Sequence, residues 1–293
     1  MKYEKTLGNR IFNIANTLFL IIMVIMCLYP FYYVVTCSLS DSNLLYGDRG
    51  LMLLPKGFSM DAYNAVLENP NIFTGYKSTI FVVVVATFLN VMLTAIGAFL
   101  VTRKNFLIAK PMMLMMLFTM YFSGGMIPHY LLISQTLHLR DSLWALILPG
   151  LISTYNLIIM RTNFLSIPDS LEESAKLDGA NDILILFRII LPLSIPTLAV
   201  MVLFYGVGHW NAWFSALLYI DTREKFPLQL ILREILLLNA TDDMMTGQHE
   251  DRAALGESIK YATVIVATVP ILLVYPFIQK YFVNGVMIGA VKG

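Results

Sequence analysis

Six long stretches of this 293-residue chain contain no Asp, Glu, Lys or Arg: 11–40, 78–102, 111–139, 142–160, 189–220 and 261–279. Each has at least 19 residues, enough for a helix to cross ~30 Å of hydrocarbon. The pattern predicts an all-α integral membrane protein with spans at about 11–38, 78–101, 111–133, 142–161, 193–220 and 260–280. Residues 1–10 and 281–293 lie outside the spans, and six crossings place both on one side. The first apolar run is far longer than the 7–15 residues of a signal-peptide core, so it reads as an uncleaved anchor. With the N-terminus inside, eleven of the twenty Lys and Arg fall inside, and thirteen of the nineteen acidic residues fall outside. The nine basic residues left outside lie mostly in the longer loops, which weigh less in orientation. Both termini are therefore expected in the cytoplasm.

Two spans carry polar interruptions. Ser123-Gly124-Gly125-Met126-Ile127-Pro128 breaks the third, either lining a route or marking the outer helix end. Non-helical backbone at membrane depth is tolerated only against protein or a water-filled cavity. The fifth span holds Tyr205, Gly206, Gly208, His209, Trp210, Asn211 and Trp213. Aromatic faces with imidazole and amide groups suit a channel that passes sugars, because ring faces stack while hydroxyls need partners. The competing reading is an aromatic belt plus a helix–helix hydrogen bond. If the span stays helical, Trp210 and Trp213 share a face, about 60° apart, with Asn211 turned about 100° away. The outer loop 41–77 is expected to carry two short amphipathic pieces. In the second outer loop, 226–238 reads as a helix and 241–257 as a polar connection. The tail 281–293 holds too many glycines for a stable free helix.

Composition narrows the function. The chain is 58% hydrophobic and 13% charged, against about 25% charge in ordinary soluble proteins. A net charge of +1 gives no basic surface for nucleic acid. Cys27 and Cys37 lie ten residues apart in one run, about 15 Å along a helix, too far to pair. The four histidines and two cysteines show no metal-ligand spacing. No G-x-x-x-x-G-K-[ST] is present, so the chain has no P-loop for ATP. No charged side chain falls inside a span except at its very ends, whereas ion-driven carriers generally hold coupling sites at mid-depth.

Between the fourth and fifth spans lies a compact polar knob, 168–192. Ser170 and Glu173 have capping-box spacing, and Gly179 fits the left-handed position that ends a helix. Asn181 or Asp182 can cap a second helix carrying Ile183, Leu186, Phe187 and Ile190, which Pro192 disrupts. Two short helices joined at a glycine make a rigid body suited to docking, or simply an amphipathic hairpin.

Glu173-Ser174-Ala175, then Gly179 after three residues, then Ile189-Ile190-Leu191-Pro192 after nine more, resembles the EAA loop of binding-protein-dependent ABC importer permeases. Only the first alanine of that pattern differs, being Ser174 here. Leu171-Glu172-Glu173 and Leu177-Asp178-Gly179-Ala180 are similar to the carbohydrate-uptake branch. The resemblance implies a type I importer fold with cytoplasmic coupling helices, in a bacterial plasma membrane. Its partners would be a second homologous permease subunit, a cytoplasmic ATPase dimer and an extracellular sugar-binding protein, besides the surrounding membrane lipid. The chain itself would bind no cofactor, ATP and Mg being held by the ATPase. The coupling set would be Glu172, Glu173, Ser174, Ala175, Leu177, Asp178, Gly179, Ala180, Phe187 and Pro192. Within it, Glu173 and Asp178 would make polar contacts, with Ala175, Leu177 and Phe187 filling the ATPase cleft. The end of the tail would touch the ATPase or fray. The substrate route would use Tyr205, His209, Trp210, Asn211, Trp213, Gly124 and Gly125. An ATP-independent carrier or flippase is the alternative.

Overall fold

The computed structural model describes residues 7–46, 50–103, 105–245 and 250–290. Helices dominate, and the only β pairing among the described residues is an isolated bridge between Ser40 and Phe58. Among the described residues three helices are long and apolar enough to cross a membrane, and counting each of three bent pairs as one span gives up to six. Two compact units are formed: residues up to Asn69 with Glu234–Thr268, and Pro70–Arg233 with the chain from Val269 on.

In the first unit, α1 (Leu7–Ser38) is exposed from Leu7 to Leu28 and apolar throughout from Leu18 to Leu28, as suits a lipid-facing helix. Its last turn is buried and its hydroxyls fold back on the backbone. Thr36 Oγ1 donates to the carbonyls of Tyr32 and Tyr33 at 3.0 and 2.9 Å, and Ser40 Oγ to that of Thr36 at 2.7 Å. Ser38 Oγ meets the Tyr63 hydroxyl at 2.7 Å. The loop carrying α2 (Ser42–Tyr46) and α3 (Asp61–Glu68) adds Leu45 and Met52 to a small core with Cys37. Tyr33 and Tyr261 close it edge to face at 6.0 Å.

The second unit is arranged around α4 (Pro70–Thr102). This helix starts well before position 78, where the sequence pattern puts it, because Pro70 is pre-set for a first turn and Lys77 stays exposed. One stripe of α4 is buried along its length: Gly75, Thr79, Val82, Ala86, Asn90, Thr94 and Ala98. Small side chains let helices approach closely in a membrane, and α8 (Thr154–Leu165) and α12 (Ile195–Trp210) pack against α4. A Cβ at Gly75 would come within 2.6 Å of Ile231 Cδ1 and 3.1 Å of the Leu228 backbone.

The other spans of this unit are broken. Between α5 (Ala109–Tyr121) and α6 (Met126–Leu131) the chain bends by 116°. Between α7 (Trp144–Ile147), with its 3-10 extension to Gly150, and α8 it bends by 51°. The knob contains α9 (Asp169–Leu177), α10 (Asp182–Ile185) and α11 (Leu191–Leu193), and an 84° bend at Ser194 leads into α12. Then follow α13 (Phe214–Tyr219), α14 (Leu228–Met245) and α15 (Glu250–Ala290).

Two expectations are corrected. The connection 241–257 is largely helical, since α14 runs to Met245 and α15 begins at Glu250. The tail is helical to Ala290 despite Gly285 and Gly289. Each glycine costs about 1 kcal/mol, but extending an existing helix needs no new nucleus.

Outside the spans, the turn before α7 is pinned by Asp141, whose backbone is left-handed at φ 57°. Its carboxylate accepts from Lys225 Nζ at 2.7 Å, Thr222 Oγ1 at 2.6 Å, and the Thr222 and Asp221 amides at 2.8 and 3.0 Å. Arg140 pairs with Asp221 alongside, at 2.8 and 3.1 Å. The Lys225 hydrogen bond, followed by those from Thr222, holds the Asp141 carboxyl well below the usual carboxylate range. A depressed folded-state value stabilises above the ordinary aspartate value of 3.8 and loses that contribution as pH falls below it. Asp141→Asn should therefore lower the melting temperature at neutral pH. The mutant should lose less than the wild type when thermal unfolding in detergent is followed down through that window.

Candidate functional site

The knob is built as its sequence allows, with one change at its start. Helix α9 begins at Asp169, directly after Pro168, so Ser170 sits inside the first turn and the expected capping box is not formed. Asp169 and Glu172 supply first-turn negative charge and Lys176 last-turn positive charge, both favourable to the helix dipole. Gly179, at φ 83°, ends the helix. Its amide donates to Lys176 O at 3.0 Å and the Ala180 amide to Ala175 O at 2.9 Å, the paired bonds of a Schellman cap. Asn181 caps α10 by accepting from the Leu184 amide at 2.9 Å. Residues Leu186–Ile190 form a π-helical turn, with the Leu191 amide bonded to Leu186 O. Pro192, lacking an N–H, follows at the start of α11.

Burial sorts the coupling candidates. Leu177 is 90% exposed, and Ile183 and Phe187 are exposed on the same knob. Glu173, Ser174 and Asp178 are exposed as well. Ala175 and Ala180, both partly buried, pack against the chain's own core with Ile185, Leu186 and Ile190. Glu172 is held within the chain as well. Its carboxylate receives a two-pronged bond from Arg103, one arm at 2.6 Å, and both side chains are 17% exposed. The Arg103 guanidinium lies 4.0 Å from the centre of the Phe99 ring. Helix α9 is thus latched to the end of α4 by a charge pair and a cation–π contact.

In the same unit, a cavity of about 820 Å³ lies beside the break in the third span. Ser123, Gly124 and Gly125 line it from one side and Tyr205, Gly208 and His209 from the other. No Asp, Glu, Lys or Arg is among its lining residues. Gly125, at φ 87° and ψ 166°, occupies a backbone region open essentially to glycine alone. The Tyr205 hydroxyl accepts from the Ser153 amide at 3.1 Å and lies 2.7 Å from Thr94 Oγ1. His209 Nε2 meets Asn90 Oδ1 at 2.9 Å, and Asn90 Nδ2 donates to the carbonyls of Gly150 and Leu151 at 2.6 and 2.9 Å.

The expected tryptophan face does not exist. Helix α12 ends at Trp210, so 211–213 leave the helix and the angular argument fails. Trp210 is buried, its ring 6.3 Å from that of Tyr76, and it lines a separate apolar cavity of about 710 Å³. Trp213 lies under the Arg233 guanidinium at 4.4 Å. Asn211 donates back to Val207 O at 2.9 Å. Of the seven route candidates, Gly124, Gly125, Tyr205 and His209 face the larger cavity, and Trp210, Asn211 and Trp213 do not. Asn90, Thr94 and Arg103 escaped the sequence reading. Asn90 is the one amide in the charge-free run 78–102, and that was the available signal; Thr94 is one of several hydroxyl residues there. Among the described residues no cluster of His, Cys, Asp and Glu could hold a metal.

A family model, the binding-protein-dependent transport system inner membrane component, matches residues 105–288, well over half of the chain. The chain belongs to this family. The permease is 40% identical to the polygalacturonan/rhamnogalacturonan transport system permease protein YtcP of Bacillus subtilis, over 97% of this chain and 99% of that one. It is 39% identical to Protein LplC of the same organism, over 99% and 98%. A solved structure of a bacterial ABC transporter involved in import of the acidic polysaccharide alginate contains a chain that matches with TM-score 0.84 and 31% identity. That match covers 94% of this permease and 98% of the solved chain. The six-span architecture and the ABC importer resemblance therefore stand, and the carrier alternative is set aside.

The two glycines of the third-span break separate conformational from steric roles. Gly125→Ala should cost about 1–3 kcal/mol, because its backbone is closed to alanine although the nearest atom to a new Cβ is 3.9 Å away. Gly124→Ala has open space and no left-handed backbone, and should be close to neutral. Melting temperatures of the two purified variants, side by side, check the difference.

Proposed function

We propose that this permease passes a sugar or oligosaccharide from an external binding protein to the cytoplasm of a bacterial cell, driven by a separate ATPase. The observation that carries the reading is the knob. It presents Leu177, Ile183 and Phe187 to solvent on a body anchored by Ile185, Leu186 and Ile190. Exposed apolar side chains on a rigid support are what a partner's cleft would take up. ATP and Mg would be held by that ATPase dimer, and the chain itself would carry out no hydrolysis. A second homologous permease would complete the pathway. Sugar as cargo is supported by the relatives whose names specify polysaccharides and by a cavity lined with aromatic and hydroxyl groups but no charge.

In this mechanism ATP closes the ATPase dimer and displaces α9 and α10 as one lever. Gly179 holds the angle between them, and the Arg103–Glu172 latch passes the displacement to α4. The termini and the knob would share the cytoplasmic side.

Gly179→Val should insert normally but lose uptake and substrate-stimulated ATP hydrolysis. Nothing lies within 4 Å of its Cβ position, so the effect would come from backbone conformation alone, about 1–3 kcal/mol. Transport by that variant at the wild-type rate would remove the lever. Sidedness is tested separately. Ser174→Cys should react with an impermeant thiol reagent only after permeabilisation, and Met245→Cys in intact cells; the reverse pattern would overturn the orientation.

A further inference from the structure

The hydrogen-bond network behind the larger cavity fixes the tautomer of His209, one of the residues that line it. Asn90 is fully buried, and its amide nitrogen lies 2.6 and 2.9 Å from the carbonyl oxygens of Gly150 and Leu151. Carbonyls only accept, so this end of the side chain must be the NH2, and the end facing His209 must be the oxygen. Asn90 Oδ1 in turn only accepts, so His209 Nε2, 2.9 Å away, must carry the proton. The neutral ring is then held as the Nε2–H tautomer, with a lone pair on Nδ1. No bond to Nδ1 is made within the chain among the described residues, and His209 lines the cavity whereas Asn90 does not.

Two other polar side chains that line the cavity, Tyr205 and Thr79, are already engaged. The Tyr205 hydroxyl is held by Ser153 and Thr94, and Thr79 Oγ1 accepts from the Leu228 amide at 2.8 Å. Tyr205 thus offers the cavity its ring rather than its hydroxyl.

We propose that His209 Nδ1 is a fixed acceptor for a hydroxyl of the passing saccharide, with Asn90 as the positioning residue that sets its tautomer. This rests on the sugar reading above. A hydroxyl donor is the matching chemistry, because an acceptor-only group such as a carboxylate would meet a lone pair there.

The test separates the two ring nitrogens. Asn in place of His puts an acceptor near the Nδ1 position, whereas Gln puts a donor near the Nε2 position. In the full transport complex, uptake per assembled complex is measured with radiolabelled hydrolysates of pectin, alginate and starch. His209→Gln should lower uptake about tenfold, the scale of one hydrogen bond, and His209→Asn should stay within about threefold of wild type. Equal uptake by the two variants, or the reverse order, would overturn the proposal and leave His209 an anchor for α12. Wild-type complex that takes up none of the hydrolysates would sink the sugar reading itself. Should either variant fail to assemble, 15N spectra of histidine-labelled wild-type complex decide. An unprotonated Nδ1 whose shift moves on adding a transported hydrolysate supports the proposal, and an Nδ1–H tautomer or an unmoved shift overturns it.

Discussion

Broken spans free backbone groups in a medium that cannot hydrate them, and this permease meets that constraint with one side chain above all, Asn90. The break between α7 and α8 leaves the Gly150 and Leu151 carbonyls without helical partners, and Asn90 donates to both. Each such carbonyl left bare would cost roughly 1–3 kcal/mol, and more where no water reaches it. The same amide turns its oxygen to His209 and so joins α4, the α7–α8 break and α12 through a single group. A broken helix is what allows a cavity at membrane depth. Asn90 is what allows the broken helix.

That arrangement explains why α4 is the unbroken member of the second unit. Its buried polar side chains each satisfy another segment: Thr79 the Leu228 amide, Asn90 two carbonyls and His209, Thr94 the Tyr205 hydroxyl. Arg103, just past its end, holds Glu172 of α9. From Thr79 to Arg103 an α-helix rises about 36 Å. A straight element with partners spaced along that length transmits displacement better than the bent spans around it, whose own hydrogen bonds are interrupted. Under the proposed mechanism, motion at Glu172 reaches the cavity wall through backbone already bonded to that wall.

How much of this was legible in the chain depends on the type of signal. Charge-free runs revealed six spans because lipid penalises charge wherever it falls, so absence alone is informative. The Gly179 turn and the Asn181 cap were readable because each is a local rule with a short range. The span-five cluster was read with the wrong geometry, since it assumed that a run of apolar residues stays helical past Trp210. Nothing in residues 205–213 alone reveals that the chain leaves the helix there. The Arg103–Glu172 pair joins residues 69 positions apart, and neither has a neighbour pattern that announces the other.

The latch also changes how the EAA-like segment is to be understood. Glu172 and Glu173 are adjacent, equally charged and equally plausible as contacts for an ATPase, yet they project to different surroundings. Glu172 is withdrawn against Arg103 and the Phe99 ring, while Glu173 stays in solvent. Adjacent helix positions lie about 100° apart, so one carboxylate can fasten α9 inward while the next faces outward. Removing the partly buried partner would leave Arg103 with less compensation in a partly desolvated site, a larger penalty than losing an exposed charge. Under the proposed mechanism the two glutamates thus divide the tasks of holding the lever and presenting it. That division follows from helix geometry and burial, which the linear motif does not record.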